Sequence, residues 1–389
     1  MKKICFFVNS MFKIGGEQRI TSLISNELVK NNYDVTIIIK CNENIDYSLY
    51  NLSKKVHLIF LNMNYDFRLN NIVFFEKLRI INRKTGIFKN CKRLIRHFFC
   101  SNKLLCKLKK VFQSNEYDVV IGVAGDRSFI LSHLKKYING KLIFWNHMNF
   151  DAHFKKENTR YYNEENFIKP LLNRFDNIIN LNEDDIVKFK KYYNVDSEVI
   201  YNCKSFNSKA KSSLNNNKFI SCGRLVEQKG FEKLIEIMKN FNQKNKDYTL
   251  DIYGDGPLKE ELLDKINDYK LKDYIKIYSE NKNIEKIFVK YDLYLNTSIY
   301  EGFGLTTLEA LECGVPVFGF DIPANKNLIQ DNKTGRLIKC YDTKEYANFL
   351  LKTVEDKKTL NYYQTNIEES IEKYEIDNVI KKWINIIEK

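Results

Sequence analysis

Short apolar runs alternate with helical patterns along almost the whole chain, and this alternation is the feature that most constrains the fold. In the first half, strands are predicted at residues 3–8, 35–39, 119–123, 142–145, 177–181 and 199–201. Apolar residues after the first strand recur at the spacing of a helix face, at Ile20, Leu23, Ile24 and Leu28. Strands that alternate with helices predict a doubly wound α/β domain with a parallel sheet.

A polar stretch, residues 204–217, interrupts this pattern before it restarts. Further strands are predicted at 219–222, 250–253, 275–278 and 293–296, with a helix at 231–241. A length of 389 residues suits two domains. We therefore predict an N-terminal Rossmann-like domain at 1–203, a linker at 204–217 and a second Rossmann-like domain at 218–372. The remaining helix, 373–389, has an apolar face and is expected to pack back towards the N-terminal domain.

Composition favours a protein that stays in the cytoplasm. Apolar residues make up 44% and charged residues 29% of the chain, a balance able to form buried cores. No apolar run approaches the roughly 20 residues of a membrane helix, and the first residues suggest a strand instead of a signal peptide. The nine cysteines form no CxxC pair and have no histidine at metal-ligand spacing, so neither a metal site nor a disulfide framework is indicated.

The positive charge is concentrated in one segment. The net charge is +14, and residues 76–110 contain 12 Lys or Arg against one acidic residue. Apolar side chains such as Phe74, Phe88 and Phe98 are interleaved with these cations. Such a segment suits an anionic membrane surface, with nucleic acid or phosphorylated ligands as other partners. A solvated basic face over aromatic residues of the core is the structural alternative.

The stretch from Glu301 to Val317 combines carboxylates with glycines, between one strand and the next. Its pattern predicts a strand, a loop containing Gly302 and Gly304, a helix, a turn and a strand. Glycines let a backbone approach a ligand, and the start of a helix presents N–H groups to phosphate or hydroxyl groups. Glu301 in the loop and Glu309 in the helix could each accept hydroxyl hydrogen bonds. As an alternative, Glu309 is a solvated helix residue and Glu301 a favourable charge at the helix start.

A second strand-to-helix turn, residues 223–231, contains two cations, Arg224 and Lys229. Both are expected at the carboxyl edge of the second sheet, where open α/β sheets bind ligands. A diphosphate requires such a pair, because each charge-assisted contact contributes roughly 1.5–3 kcal/mol.

Together these motifs resemble the GT-B fold retaining glycosyltransferases of family 4, which build bacterial surface polysaccharides. The resemblance rests on the two glutamates, on the 223–230 turn, on the Tyr253-Gly-Asp-Gly-Pro loop and on residues 15–19 near the start. It covers nearly the whole chain. It implies two Rossmann-like domains with an interdomain cleft, the N-terminal one binding acceptor and the C-terminal one binding a nucleotide-sugar.

The resemblance also implies roles for individual residues. Arg224 and Lys229 would bind the donor diphosphate, Glu309 the ribose hydroxyls, and Gly16 would approach the distal phosphate. Glu301 would contact the transferred sugar as a catalytic residue. The sugar hydroxyls would meet the backbone of the loop formed by Gly302, Phe303, Gly304 and Leu305.

Two further positions match the family less closely, and a third is indicated by its place in the predicted sheet. His147 follows a predicted strand and matches a histidine that relatives place beside the donor sugar, which makes it a second catalytic candidate, with His153 as a competitor. Asp126 follows another predicted strand and is expected either to contact the acceptor, as a third catalytic candidate, or to cap a turn. Asn202 matches a donor-side asparagine, although Cys203 stands where the family has Pro or Gly.

The implied reaction transfers a hexose, most simply from a UDP-sugar, to a glycan or a polyprenyl-linked acceptor with retention of configuration. No cofactor and no essential metal are expected, and the sequence has no Asp-x-Asp motif. The protein would be peripheral on the inner face of the membrane through 76–110, and no nucleic-acid partner is expected. A nucleotide-sugar epimerase of the same fold, or a non-catalytic protein that binds nucleic acid or membrane through 76–110, are the alternatives. A dehydrogenase lacks support because no strand-linked GxGxxG is present.

Overall fold

The computed structural model describes residues 1–63, 70–155, 159–279 and 283–389. The chain divides into two compact units, the first formed by Met1–Tyr201 with Val379–Lys389 and the second by Asn202–Asn378. Each unit is built on one parallel sheet with helices between its strands, which confirms the predicted pair of parallel-sheet α/β domains.

The first unit contains a seven-stranded sheet of order β3-β2-β1-β4-β5-β6-β7. Its strands are β1 (Lys3–Val8), β2 (Asp34–Ile39), β3 (His57–Phe60), β4 (Val119–Val123), β5 (Lys141–Trp145), β6 (Asn177–Asn180) and β7 (Glu198–Val199). Its helices are α1 (Gly16–Lys30), α2 (Asn70–Thr85), α3 (Lys92–Phe99), α4 (Asn102–Ser114), α5 (Gly125–Ser132), α6 (Glu165–Leu172) and α7 (Glu183–Tyr193). The basic segment 76–110 thus forms most of α2, all of α3 and much of α4.

The second unit contains a six-stranded sheet of order β10-β9-β8-β11-β12-β13. Its strands are β8 (Lys218–Cys222), β9 (Thr249–Tyr253), β10 (Ile275–Tyr278), β11 (Leu293–Asn296), β12 (Val317–Phe320) and β13 (Gly335–Ile338). Its helices are α8 (Phe231–Asn242), α9 (Lys259–Asp268), α10 (Ile284–Phe288), α11 (Leu305–Glu312), α12 (Pro323–Leu328), α13 (Thr343–Glu355), α14 (Lys357–Thr365) and α15 (Ile367–Ile371).

Central strands were predictable because helices cover both of their faces. Five of the six residues of β1 and of β2 are buried, which in sequence gives a continuous apolar run. The edge strands β3 and β13 were not predicted. None of the four residues of β3 and only two of the four of β13 are buried, and each strand includes a polar residue, so neither forms a long apolar run.

Residues 204–217 contain neither helix nor strand and are attached to the second unit. The Ser212 hydroxyl donates to the Tyr291 carbonyl oxygen at 2.6 Å, and the Ser212 N–H donates to the Cys313 carbonyl oxygen at 2.9 Å. The Lys204 ammonium lies 2.9 Å from the Glu312 carboxylate. These bonds fix a segment whose composition suggested only a linker.

The last helix, α16 (Ile376–Glu388), contributes its residues from Val379 onwards to the first unit. The Trp383 ring packs edge-on against Trp145 at a centroid distance of 4.8 Å. Lys2 forms an ion pair with Glu388 at 2.8 Å, and the Lys141 ammonium donates to the Ile386 carbonyl oxygen at 2.7 Å. None of the described helices is long and apolar enough to cross a membrane.

Candidate active site

Two loops follow the two central strands of the second sheet. Strand β8 pairs with β11, and their carboxyl ends continue into residues 223–230 and 297–304. The strands β9 and β10 extend the sheet on one side, and β12 and β13 on the other. Successive strands are thus added on one side of β8 up to β10 and on its other side from β11 onwards. The carboxyl ends of β8 and β11 therefore form the topological switch point, where open α/β sheets bind ligands.

Hydrogen bonds join these two loops into one structure. The Ile299 N–H donates to the Gln228 carbonyl oxygen at 2.8 Å, and the Gln228 amide donates to the Tyr300 carbonyl oxygen at 3.0 Å. The Thr297 hydroxyl donates to the Lys229 carbonyl oxygen at 3.1 Å. Side chains from the two loops are consequently held in a fixed relation.

Glycine is required at one contact between the loops. Gly230 ends the first loop with a φ of 64°, a left-handed conformation that disfavours side chains. A Cβ atom at this position would lie 2.2 Å from the Thr297 carbonyl oxygen. The close approach that brings Lys229 to the second loop therefore depends on glycine.

Glu301 is held by both loops. Its carboxylate accepts hydrogen bonds from the Lys229 ammonium and from the Ser298 hydroxyl, the latter at 2.7 Å. Glu301 is 9% exposed, so the carboxylate is partly shielded from water and needs these donors. A lysine ammonium has three donors, and the contact with Glu301 uses one of them.

Arg224 lies exposed directly after Gly223. Burial and the Glu301 charge raise the pKa of the Tyr300 phenol, and the positive charge of Arg224 partly offsets this rise. The structure places Lys229 and Glu301 in direct contact and Arg224 in the loop that leads to Lys229. All three residues, which the sequence indicated, therefore lie in the two loops at the carboxyl edge of the second sheet.

Glu309 is on α11 and is only 4% exposed. Burial raises the pKa of the Cys222 thiol, and the negative charge of Glu309 raises it further. The carboxylate thus lies near the end of β8 and is not the solvated helix residue that the sequence left open. The nearby Glu312 is also buried but accepts the Ser208 N–H at 2.8 Å and pairs with Lys204, so it anchors the 204–217 segment.

Hydrogen bonds from polar side chains of β11 hold the start of α11 in place, and sequence reasoning missed these side chains. The Asn296 amide donates to the Thr307 hydroxyl at 2.9 Å and to the Asn325 side-chain oxygen at 3.1 Å. The Tyr294 hydroxyl donates to the Thr306 hydroxyl at 2.9 Å. Asn296 is the last residue of β11, so its place at the carboxyl edge was the signal available in the sequence.

The four residues before and at the start of α11 differ in what they contribute. Gly304 is the N-cap residue, with a φ of 94°, and has no side chain to bond to the first helical N–H groups. The Phe303 side chain is buried against the Tyr374 ring at 5.6 Å, so only its backbone is available to a ligand. Gly302 and Leu305 are half-buried.

In the first unit, three predicted site residues follow the adjacent strands β1, β4 and β5. Gly16 begins α1 and is exposed, Asp126 is in the first turn of α5, and His147 follows β5. The first turns of α1 and α5 are joined by an ion pair between Glu17 and Arg127 at 2.6 Å.

His147 is a neutral histidine whose ring packs against Trp145 and whose Nε2 atom is buried. Burial, together with the charge of Arg127, lowers the pKa of His147 to about 3. Its ring lies 4.3 Å from the Trp145 ring, and its Nε2 atom is buried with no hydrogen-bond partner among the described residues. Burial also lowers the pKa of His153, to about 4. At neutral pH His147 is therefore suited to hydrogen bonding as an uncharged ring.

Asp126 is already engaged by protein groups. Its carboxylate accepts hydrogen bonds from the Arg160 guanidinium and from the Tyr161 hydroxyl, the latter at 2.8 Å. Burial would raise the pKa of Asp126, but the charge and hydrogen bonds of Arg160 hold it well below its usual value. Its side chain does not cap the turn before α5. Asp126 thus orients Arg160, a residue that the sequence did not single out.

Asn202 is buried at the beginning of the second unit. Its side-chain oxygen has no hydrogen-bond partner within the described part of the chain. A buried amide oxygen of this kind has capacity for a ligand hydrogen bond.

The part of the chain that contains both central loops has a known family pattern. Residues 204–370 match the family model of the "Glycosyl transferases group 1". The GtfA subunit of the UDP-N-acetylglucosamine–peptide N-acetylglucosaminyltransferase of Streptococcus agalactiae is 33% identical over 159 residues, covering 39% of this chain and 31% of the relative. The poly(ribitol-phosphate) alpha-N-acetylglucosaminyltransferase of Staphylococcus aureus is 26% identical over 315 residues, covering 78% of this chain and 61% of the relative. The chain thus matches about a third of the first relative and less than two thirds of the second.

Two solved structures share the fold along the whole chain. A point mutant of TarM from S. aureus, crystallised with UDP, fondaparinux and alpha-GlcNAc-glycerol, has a TM-score of 0.81 at 17% identity, with 100% of both chains covered. The pneumococcal O-GlcNAc transferase GtfA, crystallised with UDP and GlcNAc, has a TM-score of 0.75 at 15% identity, covering 100% of this chain and 98% of that one. The chain therefore has the GT-B fold.

Proposed function

We propose that this protein is a retaining glycosyltransferase that moves a hexose from a UDP-sugar to a glycan or lipid-linked acceptor in surface-polysaccharide biosynthesis. The observation that carries the proposal is the assembly of Arg224, Lys229 and Glu301 at the switch point of the second sheet. This assembly lies inside the segment that matches the group 1 glycosyl transferases.

A nucleoside diphosphate suits this edge of the sheet. Arg224 is exposed, and Lys229 retains donors beyond the one it gives to Glu301. Each charge-assisted contact with a diphosphate is worth roughly 1.5–3 kcal/mol. The TarM and GtfA crystals both contain UDP, which supports uridine as the base.

The same groups supply the chemistry of the transfer step. Negative charge develops on the diphosphate as the bond to the sugar breaks, and fixed cations at that position lower the barrier. Because Arg224 and Lys229 provide this positive charge, we propose that no divalent metal is essential. Glu301 would contact the transferred sugar, Glu309 the ribose hydroxyls, and Asn202 a donor hydroxyl.

The other proposed details rest on the relatives. The names of two relatives specify alpha transfer, namely the S. aureus poly(ribitol-phosphate) enzyme described above and the poly(glycerol-phosphate) alpha-glucosyltransferase of Bacillus subtilis, which is 31% identical over 172 residues. Formation of an alpha glycoside from an alpha-linked nucleotide-sugar is retention. A polymer or lipid carrier that contains phosphate is accordingly the acceptor class that we favour.

Peripheral membrane binding is proposed for the surface around α2. Four apolar side chains of residues 74–87 are exposed, namely Phe74, Ile80, Ile81 and Ile87. They are interleaved with cations of the 76–110 segment, as expected for a surface that meets anionic lipids.

The donor site can be tested by thermal unfolding in the presence of UDP, GDP, dTDP and CMP and of their sugars. A ligand that binds the folded state raises the melting temperature by mass action. We expect a shift with UDP and UDP-sugars that is lost in Arg224→Ala and Glu309→Ala. No shift with any saturating nucleotide would contradict the proposal.

A further inference from the structure

The first unit contains a cavity of about 690 Å³ that the donor chemistry does not use. Its walls come from the helices α2 and α3, the start of α4, the end of β2, and the pair Asp126–Arg160. The cavity is thus built largely from the basic segment 76–110. Its volume falls in the range of small-molecule sites.

Two arginines one turn apart on α2, Arg79 and Arg83, line this cavity, and they differ in whether their guanidinium groups are paired. The Arg79 guanidinium is buried and makes two hydrogen bonds of 2.7 Å to the Glu164 carboxylate, which makes it structural. Arg83 is half-buried, and its guanidinium has no hydrogen bond or ion pair with any described residue. Burial and the like charges of Arg79 and Arg160 lower the pKa of Arg83, and the negative charge of Glu164 offsets this only in part. An anion beside Arg83 would relieve both penalties.

Two ion pairs, Arg79–Glu164 and Arg160–Asp126, lie at the cavity. Arg83 is a cation of the wall whose guanidinium forms no ion pair with a described residue. One such cation suits a ligand group of charge −1, such as a phosphodiester.

The rest of the cavity wall is apolar and aromatic, in contrast to the cationic part around Arg83. His97 stacks on Phe75 with ring centroids 4.9 Å apart and planes 12° from parallel. Burial lowers the pKa of His97, with contributions from the charges of Arg96 and Arg93, which favours the neutral ring. Ile80 and Phe98 continue this surface. The cavity therefore offers cations and an apolar wall side by side.

We propose that this cavity binds a phosphodiester attached to an apolar group, with Arg83 as the principal contact to the phosphate. The apolar group would lie against the wall formed by Phe75, Ile80, His97 and Phe98. Assigning this ligand as the acceptor of the transfer rests on the proposed function, but the binding itself does not. Asp126 would act as a positioning residue that directs Arg160 to the cavity.

The experiment is isothermal titration of the full chain, without any nucleotide, with dihexanoyl phosphatidylglycerol below its micelle concentration. Separate titrations use glycerol phosphate and inorganic phosphate. Arg83→Gln is compared with Lys84→Gln, which removes the same charge from an exposed neighbour on α2 that does not line the cavity. Circular dichroism of each variant checks folding.

We expect saturable binding of the short-chain lipid that Arg83→Gln weakens by about tenfold to hundredfold and Lys84→Gln by less than twofold, since only Arg83 would make a charge-assisted contact. Glycerol phosphate is expected to bind more weakly than the lipid. Equal binding of inorganic phosphate and lipid would overturn the apolar part of the proposal. Equal weakening in both variants, or binding only to anionic vesicles and not to the lipid monomer, would refute the cavity as the binding site. Either result would instead indicate that the basic segment 76–110 attracts anionic surfaces through its overall charge.

Discussion

Replacing Lys229 with methionine separates the proposed donor contact from simple loss of charge. Lys229→Met removes one charge-assisted hydrogen bond to the diphosphate, worth roughly 1.5–3 kcal/mol, and should weaken UDP binding roughly 10- to 150-fold. Methionine keeps most of the aliphatic stem. The control is Lys233→Met on α8, which changes the net charge equally but involves a lysine whose side chain is 44% exposed and which pairs with Glu236 at 3.3 Å.

The same substitution should also reduce stability. The side chains of Lys229 and Glu301 are 16% and 10% exposed, so removing the lysine leaves a shielded carboxylate that still accepts a hydrogen bond from the Ser298 hydroxyl. Loss of one partner of a buried pair costs about 3–5 kcal/mol, and the Ser298 hydroxyl reduces this to about 2–3 kcal/mol. The exposed pair of Lys233 should contribute less than about 1 kcal/mol.

Calorimetric titration with UDP and urea unfolding measure the two effects. Adding Glu301→Gln to Lys229→Met should recover part of the lost stability without recovering UDP affinity, because the stranded charge is removed but the phosphate contact is not restored. If Lys229→Met and Lys233→Met bind UDP equally well, the assignment of Lys229 to the donor diphosphate is refuted.

Two further predictions concern the frame of the site and its pH dependence. Gly230→Ala should lower the free energy of urea unfolding by about 3 kcal/mol or more, because it combines a positive φ with the 2.2 Å contact to the Thr297 carbonyl oxygen. Gly314→Ala, at a φ of 70°, meets only side chains and should lower it by about 1–2 kcal/mol. Equal losses in the two variants would refute the steric argument. His147 has its pKa lowered from 6.5 to about 3 in the folded protein, so the unfolded chain binds the extra proton and stability falls as pH drops below 6.5. Between pH 7 and pH 5 the wild type should lose about 2 kcal/mol more than His147→Gln, and parallel pH profiles would contradict this assignment.

Sequence patterns predicted what is local and strongly buried. The interior strands β1, β4, β8 and β11 were predicted closely because they are buried at nearly every residue and contain few polar side chains. The two site loops were also predicted, since a strand followed by glycines and charges indicates a ligand edge. The motif residues Arg224, Lys229 and Glu301 could therefore be chosen before the fold was known.

Contacts between residues far apart in the sequence could not be predicted in this way. The hydrogen bond between Lys229 and Glu301 joins residues 72 positions apart, and the sequence indicated each residue without the pairing. Asp126 was expected to contact an acceptor or to cap a turn, and its partner Arg160 lies 34 residues away. Charge density predicted a basic segment at 76–110 but not the cavity that α2 and α3 enclose.

Direct observation of sugar transfer tests the central claim most closely. The wild-type protein and Lys229→Met would be incubated with UDP-glucose or UDP-N-acetylglucosamine and a poly(ribitol-phosphate) or poly(glycerol-phosphate) acceptor, in EDTA, and followed by proton NMR. The account predicts UDP release with a new alpha-anomeric signal on the acceptor in the wild type, strongly reduced in Lys229→Met. A free epimerised nucleotide-sugar, or no turnover of any UDP-sugar while UDP fails to bind, would contradict it.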